Sequence, residues 1–100
     1  MSVLDALLAW KENRRLRKSM ISPLVLPYRR DSFRYYEGGR WVTISAEMLI
    51  GPIQRTVYRS ESLHWSDTRS ELSDSERKRV FDALENYFVA HHITWKDAQI

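Results

Sequence analysis

Residues 33–44 read FRYYEGGRWVTI, two short alternating runs on either side of a Gly-Gly pair. This pattern is typical of a β-hairpin with a two-residue turn in which both central residues take positive φ. Glycine adopts positive φ without a steric cost, so Gly38 and Gly39 fix the turn. The turn then predicts five opposed pairs: Glu37 with Arg40, Tyr36 with Trp41, Tyr35 with Val42, Arg34 with Thr43, and Phe33 with Ile44.

The two faces of this hairpin have different compositions, because side chains alternate across a strand. One face is predicted to belong to the core and carries Phe33, Tyr35, Val42 and Ile44. The other face carries Arg34, Tyr36, Trp41 and Thr43. Two interpretations of this second face are open. Either the N-terminal helix covers it as a second small core, or its aromatic side chains form a partner interface.

The bulk composition indicates one small domain. The chain has 100 residues, of which 43% are apolar and 12% aromatic, and a chain of this size buries roughly two-thirds of its unfolded surface. It has no cysteine, so a disulfide framework and a thiolate zinc cluster are excluded. Asp5 interrupts the first apolar run, which makes a poor signal peptide, and no run approaches the roughly 20 apolar residues of a membrane span. We therefore expect a cytoplasmic protein without membrane association.

The net charge of +3 is unevenly distributed. Residues 1–30 contribute +5, residues 31–60 contribute +1 and residues 61–100 contribute −3. The two ends of the chain thus present opposite fields, which suits a protein that docks another macromolecule.

A helix is predicted over residues 1–19. Ser2 is a candidate N-cap with Asp5 three residues later, and an apolar stripe follows at helical spacing: Val3, Leu4, Leu7, Leu8 and Trp10. From Lys11 to Lys18 the stripe almost vanishes among basic residues. We expect the apolar first half to pack on the domain, where it is the candidate cover for Tyr36 and Trp41. The basic second half is expected to be solvated or to bind a partner.

The remaining chain is predicted as a connector over 20–31, a β-meander over 32–66, a second helix over 73–92, and a short strand and tail over 93–100. Leu24-Val25-Leu26 in the connector forms either a short edge strand or packed extended chain. The third strand of the meander is assigned to 53–59, and a fourth strand or extended segment to 62–65. The second helix begins with Ser73 as N-cap and Glu76 as its capping-box partner.

The predicted fold is therefore α+β: an antiparallel three- to four-stranded meander packed against a C-terminal helix, with an additional N-terminal helix. Val80, Leu84 and Phe88 recur at helical spacing and are expected to meet the core face of the hairpin.

A search of the sequence for chemistry favours a protein that is not an enzyme, with no catalytic residue, metal site or cofactor. His91 and His92 are adjacent and so point about 100° apart on a helix, which prevents shared metal ligation. Glu37, Glu47 and Glu61 lie near strand ends, but nothing in their spacing requires acid–base work. A ribonuclease-like site remains the less favoured alternative, built from His64, Glu61 and either Arg55 or Arg59.

An alternative function is single-stranded nucleic-acid binding. A basic patch on the first helix would contact phosphates while exposed aromatic rings stack on bases, and its residues are Lys11, Arg14, Arg15, Arg17 and Lys18. Arg29, Arg30 and Arg34 would extend it. The acidic C-terminal portion and the lack of any RNP, KH or helix-turn-helix pattern make nucleic acid the less favoured partner.

Four motifs resemble a family of small bacterial immunity proteins that protect cells from polymorphic toxins, including those of contact-dependent growth inhibition. The motifs occur in order over roughly residues 33–95. They are Tyr36-Glu37-Gly38-Gly39-Arg40, Ala46-Glu47-Met48-Leu49-Ile50-Gly51-Pro52, Ser62-Leu63-His64-Trp65 and Leu72-Ser73-Asp74-Ser75-Glu76-Arg77. The first 32 residues lie outside the resemblance.

The resemblance implies inhibition by binding. A cognate toxin domain, such as a nuclease, would be held in the cytoplasm with its active site or substrate path blocked. Because nuclease toxins are usually basic, we expect acidic groups and the exposed hairpin face to form the interface. The candidate interface residues are Tyr36, Glu37, Trp41, Glu47, Glu61, Asp67 and Glu71. Asp74 and Glu76 belong to the same acidic part of the chain.

Overall fold

The predicted hairpin lies at the centre of the structure, a computed structural model that describes residues 3–98. The elements in chain order are α1 (Val3–Ser19), β1 (Leu24–Arg29), β2 (Ser32–Glu37), β3 (Arg40–Met48), β4 (Arg55–Val57), α2 (Asp74–Ala90) and β5 (Trp95–Asp97). This is the α+β class that the sequence predicts. The proposed N-cap at Ser2 lies outside the described residues.

The register of the hairpin is the predicted one. All five expected pairs are present, from Glu37 opposite Arg40 outward. Gly38 and Gly39 have φ angles of +58° and +80°, the left-handed region that a primed two-residue turn requires. A Cβ atom at Gly39 would also lie 3.0 Å from the sulfur of Met20. The second glycine of the turn is therefore required both by its backbone conformation and by the close approach of the chain after α1.

The sheet is larger than predicted, with five strands in the order β1-β2-β3-β4-β5. Its first edge strand comes from the segment interpreted as a connector, so the edge-strand interpretation of Leu24-Val25-Leu26 is the correct one. At the other edge, β5 lies parallel to β4. Both strands are short, and their formation depends on a neighbour whose position the local pattern does not reveal.

Of the two interpretations of residues 62–65, a fourth strand or an extended segment, the extended segment is the correct one. This segment bonds to the loop that follows it, because Trp65 N–H donates to the Ser70 carbonyl and Leu72 N–H donates to the Leu63 carbonyl, each at 3.0 Å. Leu63 and Trp65 are nevertheless buried together, as their spacing predicts. The third strand is shortened from 53–59 to Arg55–Val57.

Helix α2 covers the inner face of the sheet. Val80, Leu84 and Phe88 are fully buried and pack in one cluster with the predicted core face of the hairpin. The rings of Phe33 and Phe88 meet edge to face with centroids 5.3 Å apart. Because this cluster closes without any side chain of α1, the sheet and α2 form a core that does not require the first helix.

The start of α2 is the predicted capping box. Ser73 Oγ accepts from the Glu76 amide at 3.3 Å, and the Glu76 carboxylate accepts from the Ser73 amide at 2.9 Å. The same carboxylate accepts a hydrogen bond from the indole of Trp65 at 3.0 Å. The hydrogen bond from the Ser73 amide holds the pKa of Glu76 below its usual value. One residue thus begins the helix and also fixes the ring of a buried tryptophan.

Helix α1 lies on the outer face of the sheet, but the half that contacts the sheet is the second half and not the predicted first half. Its apolar first half extends away from the sheet, with Leu4, Leu7 and Leu8 between 50% and 65% exposed. Its second half makes the contacts, through Glu12 and Ser19. The expectation that the leucines cover Tyr36 and Trp41 is therefore wrong, because the helix is attached to the hairpin at its C-terminal end.

Truncating one side chain tests the inner core. Leu84→Ala removes a fully buried side chain, and we expect it to lower the free energy of unfolding by about 2–5 kcal/mol in urea denaturation. Val89→Ala on the same helix is the matched control, because Val89 is exposed, and it should change stability by less than about 0.5 kcal/mol. Equal effects of the two substitutions would contradict the described orientation of α2.

Candidate partner-binding surface

The C-terminal end of α1 is joined to the hairpin turn by Ser19. The Gly38 amide donates to the Ser19 carbonyl at 2.9 Å, and the Gly39 amide donates to the Ser19 hydroxyl at 3.0 Å. The same hydroxyl donates to the Leu16 carbonyl at 2.6 Å, within the last turn of the helix. Ser19 is buried, so the helix end and the turn hold each other without an intervening solvent layer.

A second anchor lies two turns earlier, at Glu12. Its carboxylate accepts from Arg34 Nη1 at 3.4 Å and from the Tyr36 hydroxyl at 3.3 Å. The Arg34 guanidinium lies between two rings, with its Cζ 3.6 Å from the centroid of Tyr28 and 4.7 Å from that of Trp41. Cation–π contacts of this kind are favourable when the cation is partly desolvated.

The hairpin aromatics are therefore mostly taken up inside the protein. Tyr36 is 1% exposed, so of the two interpretations left open by the sequence, the second small core applies to it. Trp41 is half-buried beneath Arg34. As a result, the candidate interface loses most of its expected aromatic surface.

The first half of α1 carries a group of exposed apolar side chains. Val3, Leu4, Leu7 and Leu8, which we call the apolar half, are each at least half exposed. The chain has an accessible surface of 6889 Å², whereas a compact monomer of 11.9 kDa exposes about 6,000 Å². The protein is therefore less compact than an average monomer of its mass.

Beside the second half of α1 lies a groove of about 320 Å³ between the helix and β1. We call it the basic groove, and it is lined by Trp10, Lys11, Arg14, Arg15, Lys18, Leu24 and Leu26. Leu24 and Leu26 lie on the outer face of the sheet, because they pair with Tyr36 and Arg34. The groove thus combines an apolar floor with four cations. Arg17, the fifth residue of the predicted basic patch, does not line it.

The free edge of β1 is poorly suited to accept an added strand. Pro23 precedes the strand and Pro27 lies within it, and proline has no N–H to donate. Both prolines lie two residues from Val25, so the three share one edge of the strand. Of these three residues, only Val25 can donate a hydrogen bond from that edge. Proline on an edge strand is a known protection against edge-to-edge pairing.

The acidic candidates of the sequence are not brought together, and each already has a partner in the protein. Four of them accept hydrogen bonds: Glu37 from Arg79 at 2.8 Å, Glu47 from the Tyr58 hydroxyl at 2.5 Å, Glu61 from the Ser45 hydroxyl at 2.9 Å and Glu71 from the Ser62 hydroxyl at 3.4 Å. Asp67 forms an ion pair with Arg40 at 3.9 Å. The Glu37 carboxylate also accepts from the Tyr35 hydroxyl at 3.0 Å. Burial, followed by this contact, raises the pKa of Tyr35.

The residues of the alternative ribonuclease-like site also have structural contacts. Glu61 accepts hydrogen bonds from the amide and the hydroxyl of Ser45. The backbone of His64 forms an isolated antiparallel β-bridge with that of Glu71. Arg59 forms ion pairs with Glu85 and with Asp97. Over residues 3–98, no group of three or more His, Asp or Glu side chains is placed to hold a metal ion. Within the same range, neither helix combines the length and the hydropathy needed to cross a bilayer.

Comparison of the chain with family models, with curated proteins and with solved structures returned no match.

Sequence reasoning identified the cations of this surface but missed its apolar components. The sequence offers Leu24 and Leu26 as edge strand or packed extended chain within a connector and gives them no binding role, and it predicts that the leucines of α1 pack on the domain. The available signal was the spacing in α1, since Leu4, Leu7 and Lys11 share one face of a helix. That spacing places apolar and basic side chains in one line, which is unusual for a helix that packs its apolar residues on its own domain.

Removing the two anchors should release α1 without unfolding the domain. In the double variant Glu12→Ala/Ser19→Ala, amide hydrogens of residues 3–18 should exchange faster by at least about tenfold, since helix opening no longer breaks these contacts. Amides of β2, β3 and α2 should keep their protection. Lys11→Ala, which changes the outward side of α1, is the control and should leave exchange unchanged. Loss of protection throughout the sheet would contradict an independent inner core.

Proposed function

We propose that the protein is an immunity protein that binds a cognate toxin domain and neutralises it, and that α1 with the basic groove is its binding surface. The observation that carries the proposal is the exposed side of α1, where leucines continue directly into a line of arginines and lysines. The immunity-family motifs support the same function from the sequence. Their residues in this protein are structural, since they form the turn, the buried Trp65 and the start of α2.

The composition of this surface suits a tight protein complex. Trp and Arg are enriched among residues that dominate interface energetics, and Trp10, Arg14 and Arg15 line the basic groove together. Charged residues around such a core steer the encounter with an oppositely charged partner. The toxin domain is therefore proposed to present an acidic surface. This replaces the expectation of an acidic inhibitor surface, because Glu37, Glu61 and Asp67 are already engaged within the free protein.

The geometry of α1 also suggests how binding inhibits. The apolar half, from Val3 to Leu8, spans less than two turns, or about 9 Å along the axis, and its side chains are exposed. An exposed apolar helix end of this length is suited to enter a cleft. Occupation of the toxin's active-site cleft or substrate path by α1 would prevent substrate from binding without any chemical step.

One observation favours single-stranded nucleic acid as a second candidate partner. Trp10 is 56% exposed and lines the basic groove with Lys11, Arg14, Arg15 and Lys18. An exposed ring among cations can stack on a base while the cations neutralise phosphates. The apolar half of α1 has no role in this function.

Co-expression with the toxin domain encoded next to this gene tests the proposed function. We expect the protein to restore growth of cells that express the toxin domain, and the two purified proteins to co-elute as a one-to-one complex. We expect a dissociation constant in the nanomolar range or below, as in tight protein–inhibitor complexes. A toxin domain from an unrelated system is the control for specificity and should remain toxic.

Failure of the protein to form a complex with its neighbour-encoded toxin domain, together with unchanged toxicity, would refute the immunity function. If the protein instead binds an oligothymidylate strand with an affinity that falls steeply with salt, the nucleic-acid function takes its place.

A further inference from the structure

The outward side of α1 carries one continuous line of side chains with two chemically different halves. Because residues three and four apart share a face of a helix, this line, which we call the α1 stripe, comprises Val3, Leu4, Leu7, Leu8, Lys11, Arg14, Arg15 and Lys18. The anchoring residues Glu12 and Ser19 adjoin the stripe on the side of Leu8 and Arg15, and Arg15 forms an ion pair with Glu12 at 3.9 Å. The apolar half of the stripe is therefore exposed, while the cationic half borders β1 and lines the basic groove.

The spacing within the stripe is that of a helix–helix seam. Leu4, Leu7, Lys11, Arg14 and Lys18 alternate at intervals of three and four residues, the pattern by which one helix packs its side chains between those of another. Over 15 residues the seam is about 22 Å long. Leu24 and Leu26 form a second wall along its basic half. A partner helix laid on the stripe would thus be supported from two sides at that end.

A second copy of this chain is not suited to the stripe. Parallel packing of two α1 helices would place the four cations of one copy against those of the other, and like charges across an interface are costly. Antiparallel packing in full overlap would place each cationic half against the leucines of its partner, which leaves the charges unpaired. Neither arrangement satisfies both halves.

Lipid and nucleic acid each match only part of the stripe. Insertion of the apolar half into a bilayer would carry the N-terminal turn of α1 with it, and the first amide donors of a helix have no partner within the helix. Such donors are costly in hydrocarbon. A nucleic-acid strand would neutralise the cations but leave four exposed apolar side chains uncovered.

We infer that the partner presents to the α1 stripe a helix with one apolar half and one acidic half, in register with the leucines and with the cations respectively. This inference rests on the proposed function, since the partner meant is the toxin domain. The apolar contact supplies most of the buried area. The acidic contact supplies the register and the orientation, because only one direction of the partner helix pairs the two halves correctly.

The test is to change each half of the stripe separately in the full-length protein and to measure affinity for the neighbour-encoded toxin domain by titration calorimetry. Leu4→Ser/Leu7→Ser changes the apolar half, and Arg14→Glu/Lys18→Glu changes the cationic half. We expect each pair of substitutions to weaken binding by about a hundredfold. Raising salt from about 50 mM to about 500 mM should weaken the wild-type complex but have little effect on the Arg14→Glu/Lys18→Glu complex.

Matched controls lie on other surfaces of the same protein. Ile50→Ser/Val89→Ser removes two exposed apolar side chains away from α1. Lys78→Glu/Lys96→Glu makes the same change in net charge on α2 and β5. Both control variants should bind the toxin domain within about threefold of the wild type. All variants should keep the circular dichroism and the urea midpoint of the wild type, because the altered side chains are exposed.

Each other outcome overturns a defined part of the account. A wild-type complex that is insensitive to both stripe variants would overturn this inference and leave the immunity function standing. Sensitivity to one half alone would also overturn it, since the partner would then lack the other half. Absence of any wild-type complex would refute the immunity function and the inference together. If the wild type binds phosphatidylglycerol vesicles or oligothymidylate and the stripe variants do not, the ligand of the stripe is lipid or nucleic acid instead.

Discussion

The hydrogen bonds between Ser19 and the hairpin turn determine where α1 is attached and therefore which of its side chains are exposed. Two consecutive amides, those of Gly38 and Gly39, donate to one buried serine, so the last turn of α1 is fixed at the end of the hairpin. A helix held at its C-terminal end, and again at Glu12, must carry its first half beyond these contacts. The apolar half is therefore exposed because α1 is attached to the domain through its other half.

The part of the fold that depends on local interactions was predictable from sequence. The Gly-Gly turn fixed the register of β2 and β3, and the Ser73–Glu76 capping box fixed the start of α2, because both signals lie within a few residues of the structure they determine. The two edge strands were recognisable as candidates, but their pairing was not predictable in this way. The pairing of β1 with β2 and of β5 with β4 depends on residues distant in sequence.

The candidate surface was predictable only in its charges. Helical periodicity identified the leucines and the cations of α1 as separate groups, but periodicity does not reveal which side of a helix meets the sheet. Ser19 and Glu12 decide that, through partners about 20 residues away in sequence. In contrast to the leucines of α1, the acidic candidates Glu37 and Glu61 have contacts within the domain, where both accept hydrogen bonds. Residues 1–30 carry a net charge of +5, and five of their seven basic side chains lie on α1.

The inner core of the sheet and α2 gives this protein its stability, while α1 contributes little to that core and is free to present its stripe. Mapping of amide chemical shifts in a nitrogen-15 labelled sample, titrated with the toxin domain, tests this division most directly. The account predicts that the largest shifts fall within residues 3–18 and 24–26, with the amides of α2 almost unchanged. Shifts concentrated on α2 or around Glu47 and Glu71, with α1 unaffected, would contradict it.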